Sequence, residues 1–122
     1  MIQTKFFGII NRMAKFLYRV YVLQLKSSVW TQAKYRKQNP GVKKFKKFLY
    51  VGYTYHSVEE RVNVHLSGGW LSNKSVRDHF KKIRKDLVPE GHDSFTKTEI
   101  AKIAEKKLAQ QLRKKGFAVY QS

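Results

Sequence analysis

Two short runs of β-branched and aromatic residues most constrain how this chain folds, because each run predicts a β-strand. The first run covers residues 18–25, and the second covers residues 48–54. A third and shorter run, at residues 117–120, predicts a final strand. Three strands in a chain of 122 residues fit one domain with a single modest core, and helices must then supply the remaining structure.

Helix signals separate and follow these strands. A capping box of the S-x-x-E form at residues 57–60 predicts a helix that ends at Gly68. Apolar residues spaced by three and four predict a second helix over residues 73–87. Another capping box, at residues 96–99, predicts the start of the longest helix, which Gly116 ends. The pattern therefore predicts one domain of the α/β (α+β) type.

The chain begins with a basic amphipathic segment at residues 1–17, which predicts an added N-terminal helix. We interpret it as a helix packed on a domain that extends over residues 18–122, and an organelle presequence or a helix on a membrane surface are the alternatives. No apolar run in the sequence reaches the length of a membrane span. The sequence has no cysteine, which excludes a disulfide scaffold and a thiolate zinc site.

Charge is the compositional feature that bears most directly on partners. The chain has 26 Lys and Arg residues against 8 Asp and Glu residues, which gives a formal net charge of +18. No acidic residue precedes Glu59, although 12 of the basic residues do. Such a surplus predicts a polyanionic partner, with nucleic acid favoured over an anionic membrane surface.

The connection between the first two strands carries much of this charge. Its residues 22–49 include eight basic residues and no acidic residue. This composition suits tracking of a nucleic-acid backbone with aromatic stacking on unpaired bases, and a solvated strand connection is the alternative. The candidate nucleic-acid-binding residues are Trp30, Lys34, Tyr35, Arg36, Lys37, Lys43, Lys44, Lys46 and Lys47.

Most catalytic constellations are absent from the sequence, and one ordered set of residues remains. Tyr21 lies in the first predicted strand, and Tyr50 lies in the second. Arg61 and His65 are four residues apart, so they share one face of a predicted helix. Glu105 follows on the longest helix. This order resembles the GIY-YIG nuclease family, whose motifs are matched by Val20-Tyr21, by Tyr50-Val51-Gly52, by the R-x-x-x-H of Arg61 and His65, and by Glu105.

The resemblance implies a fold and a reaction. Family members have a small antiparallel sheet of three strands flanked by helices, and they cleave phosphodiesters with one divalent metal ion. For this chain the resemblance implies a metal-dependent endonuclease that acts on DNA in preference to RNA, with Mg²⁺ or Mn²⁺ held by Glu105 and no small-molecule cofactor. A single carboxylate suffices for Mg²⁺, which keeps several of its waters. Gly52 would permit a close approach or a bulge at the end of its strand.

The resemblance also implies roles for the other four residues. Arg61 would neutralise charge that builds on the phosphoryl oxygens. Tyr21 would activate the attacking water, with the metal and Arg61 lowering its pKa or with a proton relay. Tyr50 would position the phosphate, and His65 would assist proton transfer or hold the scissile phosphate.

A non-catalytic DNA- or RNA-binding protein on the same fold, for example a ribosomal component, is the alternative. Its motivation is the net charge, which exceeds what an enzyme that must release its product needs. The nuclease hypothesis requires Tyr21, Tyr50, Arg61 and Glu105 to converge on one open site, and a covered Glu105 would favour the binding protein. We expect an intracellular location, cytoplasmic or nucleoid-associated, with an organellar or ribonucleoprotein-bound location as the alternative.

Overall fold

The computed structural model describes residues 17–40, 47–69 and 72–121. Residues 1–16 lie outside the described part, and the predicted N-terminal helix falls almost wholly within them. The candidate nucleic-acid-binding residues Lys43, Lys44 and Lys46 also lie outside it. Among the described residues, no helix has both the length and the apolar character needed to cross a membrane.

The two predicted central strands form the middle of a sheet. Strand β1 covers Arg19–Leu25 and strand β2 covers Phe48–Thr54, close to the predicted bounds. They pair antiparallel, and this register places Tyr21 directly opposite Gly52. Side chains alternate between the two faces of a strand, so Tyr21, Tyr50 and Gly52 belong to one face of the sheet.

Two further strands complete the sheet, which has four strands in the order β3-β1-β2-β4. Strand β3, Phe80–Ile83, pairs antiparallel with β1. Strand β4, Ala118–Gln121, pairs parallel with β2. The predicted class, α+β with a sheet flanked by helices, is confirmed, whereas the predicted three-stranded antiparallel sheet is wrong in both strand number and orientation.

Within the described residues, the sheet is accompanied by four α-helices, namely α1 (Ala33–Lys37), α2 (Val58–Ser67), α3 (Lys74–His79) and α4 (Thr98–Lys114), with short 3-10 helices at Ser27–Thr31 and Lys85–Leu87. The predicted start of α2 is confirmed, because the Ser57 hydroxyl accepts a hydrogen bond from the backbone N–H of Glu60. The predicted end is confirmed as well, since Gly68 has a φ of 75° that L side chains rarely adopt.

Two of the helix predictions are wrong in their bounds. The helix predicted over residues 73–87 ends at His79, and the chain continues directly as β3 because pairing with β1 satisfies its backbone groups. Helix α4 begins at Thr98, and Lys97 precedes it without a side-chain cap, so the capping box predicted at residues 96–99 does not set this start.

Helices cover both faces of the sheet and bury a separate cluster on each. On one face, which we call the tyrosine face, Tyr21 and Tyr50 pack with Val62 of α2 and Val76 of α3. On the other face, which we call the α4 face, the strands pack against helix α4. This second cluster comprises Val20, Val22, Leu49, Val51, Leu108, Ala109, Leu112 and Val119.

Candidate functional site

Four of the five candidate catalytic residues come together on the tyrosine face. The rings of Tyr21 and Tyr50 lie 6.1 Å apart between their centroids. Helix α2 lies over them and places His65 against both, with ring centroids 6.4 Å from Tyr21 and 5.7 Å from Tyr50. Arg61, one turn earlier on α2, interacts with the Tyr21 hydroxyl. Arg61 and His65 share one face of α2, as predicted, and that face contacts the two tyrosines.

An open cavity of about 510 Å³ lies at this position, and we call it the tyrosine–arginine pocket. Five tyrosines line it together with two threonines, His56 and Arg61. None of the described residues that line it is acidic. The pocket suits an oxyanion such as phosphate, because it offers a guanidinium and several phenol hydroxyls and its described lining has no carboxylate.

His65 supports this pocket from behind rather than lining it. Its side chain is fully buried. Nε2 lies 3.0 Å from the Tyr21 hydroxyl, and Nδ1 accepts a hydrogen bond of 2.9 Å from the backbone N–H of Asn73. Burial, together with the charge of Arg61, lowers the pKa of His65 to about 4. The imidazole is therefore neutral at pH 7.

The environment of Tyr21 opposes the predicted role of this residue in activating water. Burial and the neighbouring Tyr50 raise the pKa of the Tyr21 hydroxyl well above its ordinary value. Arg61 acts in the opposite direction and does not outweigh them. Tyr21 therefore keeps its proton near pH 7 and presents a hydroxyl group, not a phenolate.

Gly52 provides the room in which the Tyr21 hydroxyl sits. A Cβ atom at position 52 would lie 2.5 Å from Oη of Tyr21 and 2.6 Å from its Cζ, which is closer than real Cβ contacts. The close approach expected at Gly52 is therefore present, and the neighbour is a side chain. The absence of a side chain here is what lets Tyr21 lie flat across β2.

Glu105 does not join the other four residues. Its side chain is only 3% exposed, and it lines a second cavity of about 460 Å³ together with Tyr53, Gln121 and two lysines. Tyr53 lies three residues after Tyr50 on β2, so it points to the α4 face. Glu105 is thus covered and lies on the opposite face of the sheet from Arg61, against the convergence expected from the sequence.

The second cavity offers oxygen atoms but stands in the wrong place for the predicted metal. Oε1 of Gln121 is buried without a hydrogen-bond partner among the described residues, and burial raises the pKa of Glu105 to about 7 against the opposing effect of Lys102. Oxygen donors of this kind suit Mg²⁺. However, Lys102 and Lys106 line the same cavity, and no group of three potential ligands occurs in the described part of the chain. The residues present do not fit a metal ion that acts on a phosphate beside Arg61.

Tyr53 marks the boundary between the two cavities. It is the one described residue that lines both the tyrosine–arginine pocket and the cavity of Glu105. The two cavities are therefore neighbours near the end of β2.

The candidate nucleic-acid-binding residues divide into exposed charges and buried rings. Lys34, Arg36, Lys37 and Lys47 are exposed. Tyr35 is fully buried, and its hydroxyl donates to the carbonyl oxygens of Leu49 and Ala118, so the prediction that its ring stacks on bases is wrong.

Trp30 is partly buried and packs beside Tyr35 and Phe48. Its ring thus belongs to the edge of the core, which opposes the predicted stacking on bases. Trp30 and Tyr35 thus pack the 3-10 helix and helix α1 against the sheet, as a chain with a single modest core requires.

Sequence reasoning missed two features of this surface. Tyr53 and Tyr55 line the tyrosine–arginine pocket, and their position directly after the Y-V-G motif was the available signal. A third cavity of about 450 Å³, which we call the lysine groove, lies at the other end of β1 and is lined by Lys26, Lys47 and Lys81. These lysines come from three separate parts of the chain, so no local pattern could have grouped them.

Comparison of the chain with protein-family models, with curated proteins and with solved structures finds no match. The functional assignment therefore depends on the residues and geometry described above.

Proposed function

We propose that this chain binds nucleic acid and holds a backbone phosphate in the tyrosine–arginine pocket. The observation that carries the proposal is the convergence of Arg61 with Tyr21 and Tyr50 at an open cavity without acidic residues among those described. A guanidinium offers forked donors to phosphoryl oxygens, and phenol hydroxyls add further donors. The net charge of +18 supplies the long-range attraction that such binding needs.

A DNA endonuclease is the catalytic form of this proposal. The convergence of Tyr21, Tyr50, Arg61 and His65 supports it, because these residues also carry the resemblance to the GIY-YIG nuclease family. Arg61 would stabilise charge on the phosphoryl oxygens during cleavage, and Tyr50 would orient the phosphate. This candidate further requires a carboxylate at the pocket, and Glu105 would have to reach it past Tyr53.

A non-catalytic binding protein is the second candidate, and the burial of Glu105 favours it. With Tyr21 protonated and His65 buried and neutral, neither of these two residues is ready to deprotonate water, whereas Arg61 and the tyrosine hydroxyls remain suited to binding a phosphate. The geometry supports phosphate binding more fully than hydrolysis.

Binding and cleavage are tested separately. Fluorescence anisotropy with single-stranded, duplex and branched DNA and with RNA should give binding that weakens by about tenfold in Arg61→Gln, since a charge-assisted hydrogen bond is lost. The matched control is Arg77→Gln, which removes the same charge from an exposed position paired with Asp78 and should bind like the wild type. Equal affinity of Arg61→Gln and the wild type would refute the pocket as the phosphate site.

Incubation of the same nucleic acids with Mg²⁺ or Mn²⁺ then decides between the two candidates. Cleavage that is lost in Glu105→Ala would establish the endonuclease. Tight binding without cleavage, and with affinity unchanged in Glu105→Ala, would establish the binding protein.

A further inference from the structure

The hydrogen bonds of His65 fix which of its ring nitrogens carries a proton. The backbone N–H of Asn73 points at Nδ1 over 2.9 Å, and an amide N–H can only donate. Nδ1 must therefore present its lone pair, and the proton of the neutral ring lies on Nε2. The groups that face this ring are Tyr21 from β1, Tyr50 from β2 and Arg61 from its own helix, and none of them is acidic.

The same bonding sets the direction of the Tyr21 hydroxyl. Nε2 of His65 lies 3.0 Å from Oη, so the N–H donates and the hydroxyl oxygen accepts. The proton of Tyr21 must then point away from His65. The other side of this hydroxyl faces Arg61, Tyr50 and the tyrosine–arginine pocket that all three line. Arg61 can only donate to it, so the Tyr21 proton is directed at Tyr50 in the free protein and at the ligand when a phosphoryl oxygen is held beside Arg61.

Proton transfer from Tyr21 to His65 is blocked by this arrangement. Nε2 already carries a proton, and Nδ1 faces the amide N–H of Asn73. Accepting another proton would create a buried cation close to Arg61, and desolvation opposes this. His65 therefore cannot serve as the base that frees Tyr21 of its proton.

We infer that Tyr21 donates a hydrogen bond to a phosphoryl oxygen held beside Arg61, and that His65 is a positioning residue that fixes Tyr21 in this donor role through the Asn73 backbone. The ligand part of the inference rests on the proposed function. The matching ligand class is a phosphodiester, whose ionised non-bridging oxygens only accept hydrogen bonds. A pocket whose groups donate selects such a ligand over one that carries its own N–H or O–H groups.

The tautomer is measured on the free protein without any ligand. Nitrogen-15 NMR of the histidine rings should show a protonated Nε2 and an unprotonated Nδ1 for His65, with no titration of this ring between pH 5.5 and 8. A proton on Nδ1, or a ring that becomes charged within that range, would overturn the inference whether or not the chain binds nucleic acid.

Binding of a 12-nucleotide oligothymidylate and of inorganic phosphate tests whether Tyr21 is a hydrogen-bond donor to the ligand. Tyr21→Phe should weaken oligothymidylate binding by about tenfold, because the ring remains and only the donor is lost. His65→Gln should stay within about threefold of the wild type, since its amide can donate to Tyr21 and accept from Asn73. His65→Leu should bind as weakly as Tyr21→Phe, and the double variant should be no weaker than either.

The variants also separate this inference from the proposed function. The positioning role alone would be overturned if the losses of oligothymidylate affinity in Tyr21→Phe and His65→Leu added in the double variant. It would also be overturned if His65→Leu bound like the wild type. Should His65→Leu fail to fold, as judged by circular dichroism, Tyr21→Phe and His65→Gln still decide the outcome. A wild-type protein that binds neither probe would refute the proposed function, while the NMR measurement would continue to decide the direction of the Tyr21 hydroxyl.

Discussion

Tyr21 and Gly52 form a cross-strand pair, and the large side chain of Tyr21 fits because Gly52 has no side chain. The Tyr21 hydroxyl lies over position 52 within the distance that a Cβ atom would occupy. Its hydrogen bond with His65 depends on this placement. At the residue scale, the position of Tyr21 in the tyrosine–arginine pocket therefore depends on a glycine that is not among the residues lining that pocket.

Gly52→Ala tests this dependence. The added methyl group must displace the Tyr21 ring, so we expect the free energy of unfolding to fall by about 1–3 kcal/mol and nucleic-acid binding to weaken to the level of Tyr21→Phe. Gly69→Ala is the matched control, because among the described residues a Cβ atom there would approach the Ser67 hydroxyl at an ordinary 3.8 Å. Urea denaturation and anisotropy titrations of both variants measure the two effects. An unchanged affinity in Gly52→Ala would show that the pocket tolerates a displaced Tyr21.

At the scale of whole elements, local signals predicted some of the fold and contacts between distant residues decided the rest. Strands β1 and β2 and helix α2 were predictable because strand composition and the Ser57 cap act within a few residues. Strand β3 was not, since the F-K-K-I sequence of residues 80–83 also continues the apolar spacing of the preceding helix. Its pairing with β1 settled the choice.

The candidate site was likewise predictable only in part. The order of Tyr21, Tyr50, Arg61 and His65 in the sequence led to four residues that do meet. Antiparallel pairing of β1 with β2, the short connection from β2 to α2 and one helix turn fix their relation. Glu105 was placed wrongly because its position depends on which face of the sheet α4 packs against. The sequence pattern does not predict that face. Helix α4 turns Glu105 inward with Leu108 and Leu112, so the carboxyl is buried with the apolar face.

The docking of α4 should consequently depend on pH. Burial raises the pKa of Glu105 to about 7 in the folded chain, whereas an unfolded glutamate titrates near 4.3. The folded state therefore binds the proton more tightly. Stability is greatest below the unfolded-state pKa and decreases as the pH rises through about 7.

Urea denaturation in metal-free buffer measures this dependence. Between pH 4.5 and 8 we expect the wild type to lose on the order of 2–3 kcal/mol through Glu105, in proportion to the difference between the two pKa values. Glu105→Gln should remove this contribution and be more stable than the wild type at pH 8. Glu90→Gln, at an exposed position, should keep the wild-type pH dependence. If Glu105→Gln retained it too, the carboxyl would not be desolvated as described.

At the scale of the whole molecule, the tyrosine–arginine pocket and the lysine groove lie at opposite ends of the central strands. The tyrosine–arginine pocket includes Tyr21 near the start of β1, and the lysine groove includes Lys26 directly after its end. Five residues of extended chain separate these positions by roughly 16 Å. This distance corresponds to about five steps along a duplex. One nucleic-acid strand bound in the pocket can thus reach the groove with a nearby phosphate.

Removing the charge of the lysine groove should therefore weaken binding and lower its salt dependence together. For the triple variant Lys26→Gln, Lys47→Gln and Lys81→Gln, we expect the slope of log affinity against log salt concentration for single-stranded DNA to become shallower by about 2, at about 0.7 per lost phosphate contact. The matched control replaces Lys97, Lys107 and Lys114, which are equally exposed, and removes the same net charge. Titrations between 50 and 200 mM salt give both slopes. Equal changes in the two triple variants would mean that the net charge of the molecule attracts the nucleic acid and that the groove holds no phosphate. A shallower slope in the groove variant alone would show that the lysine groove contacts phosphates of the bound strand.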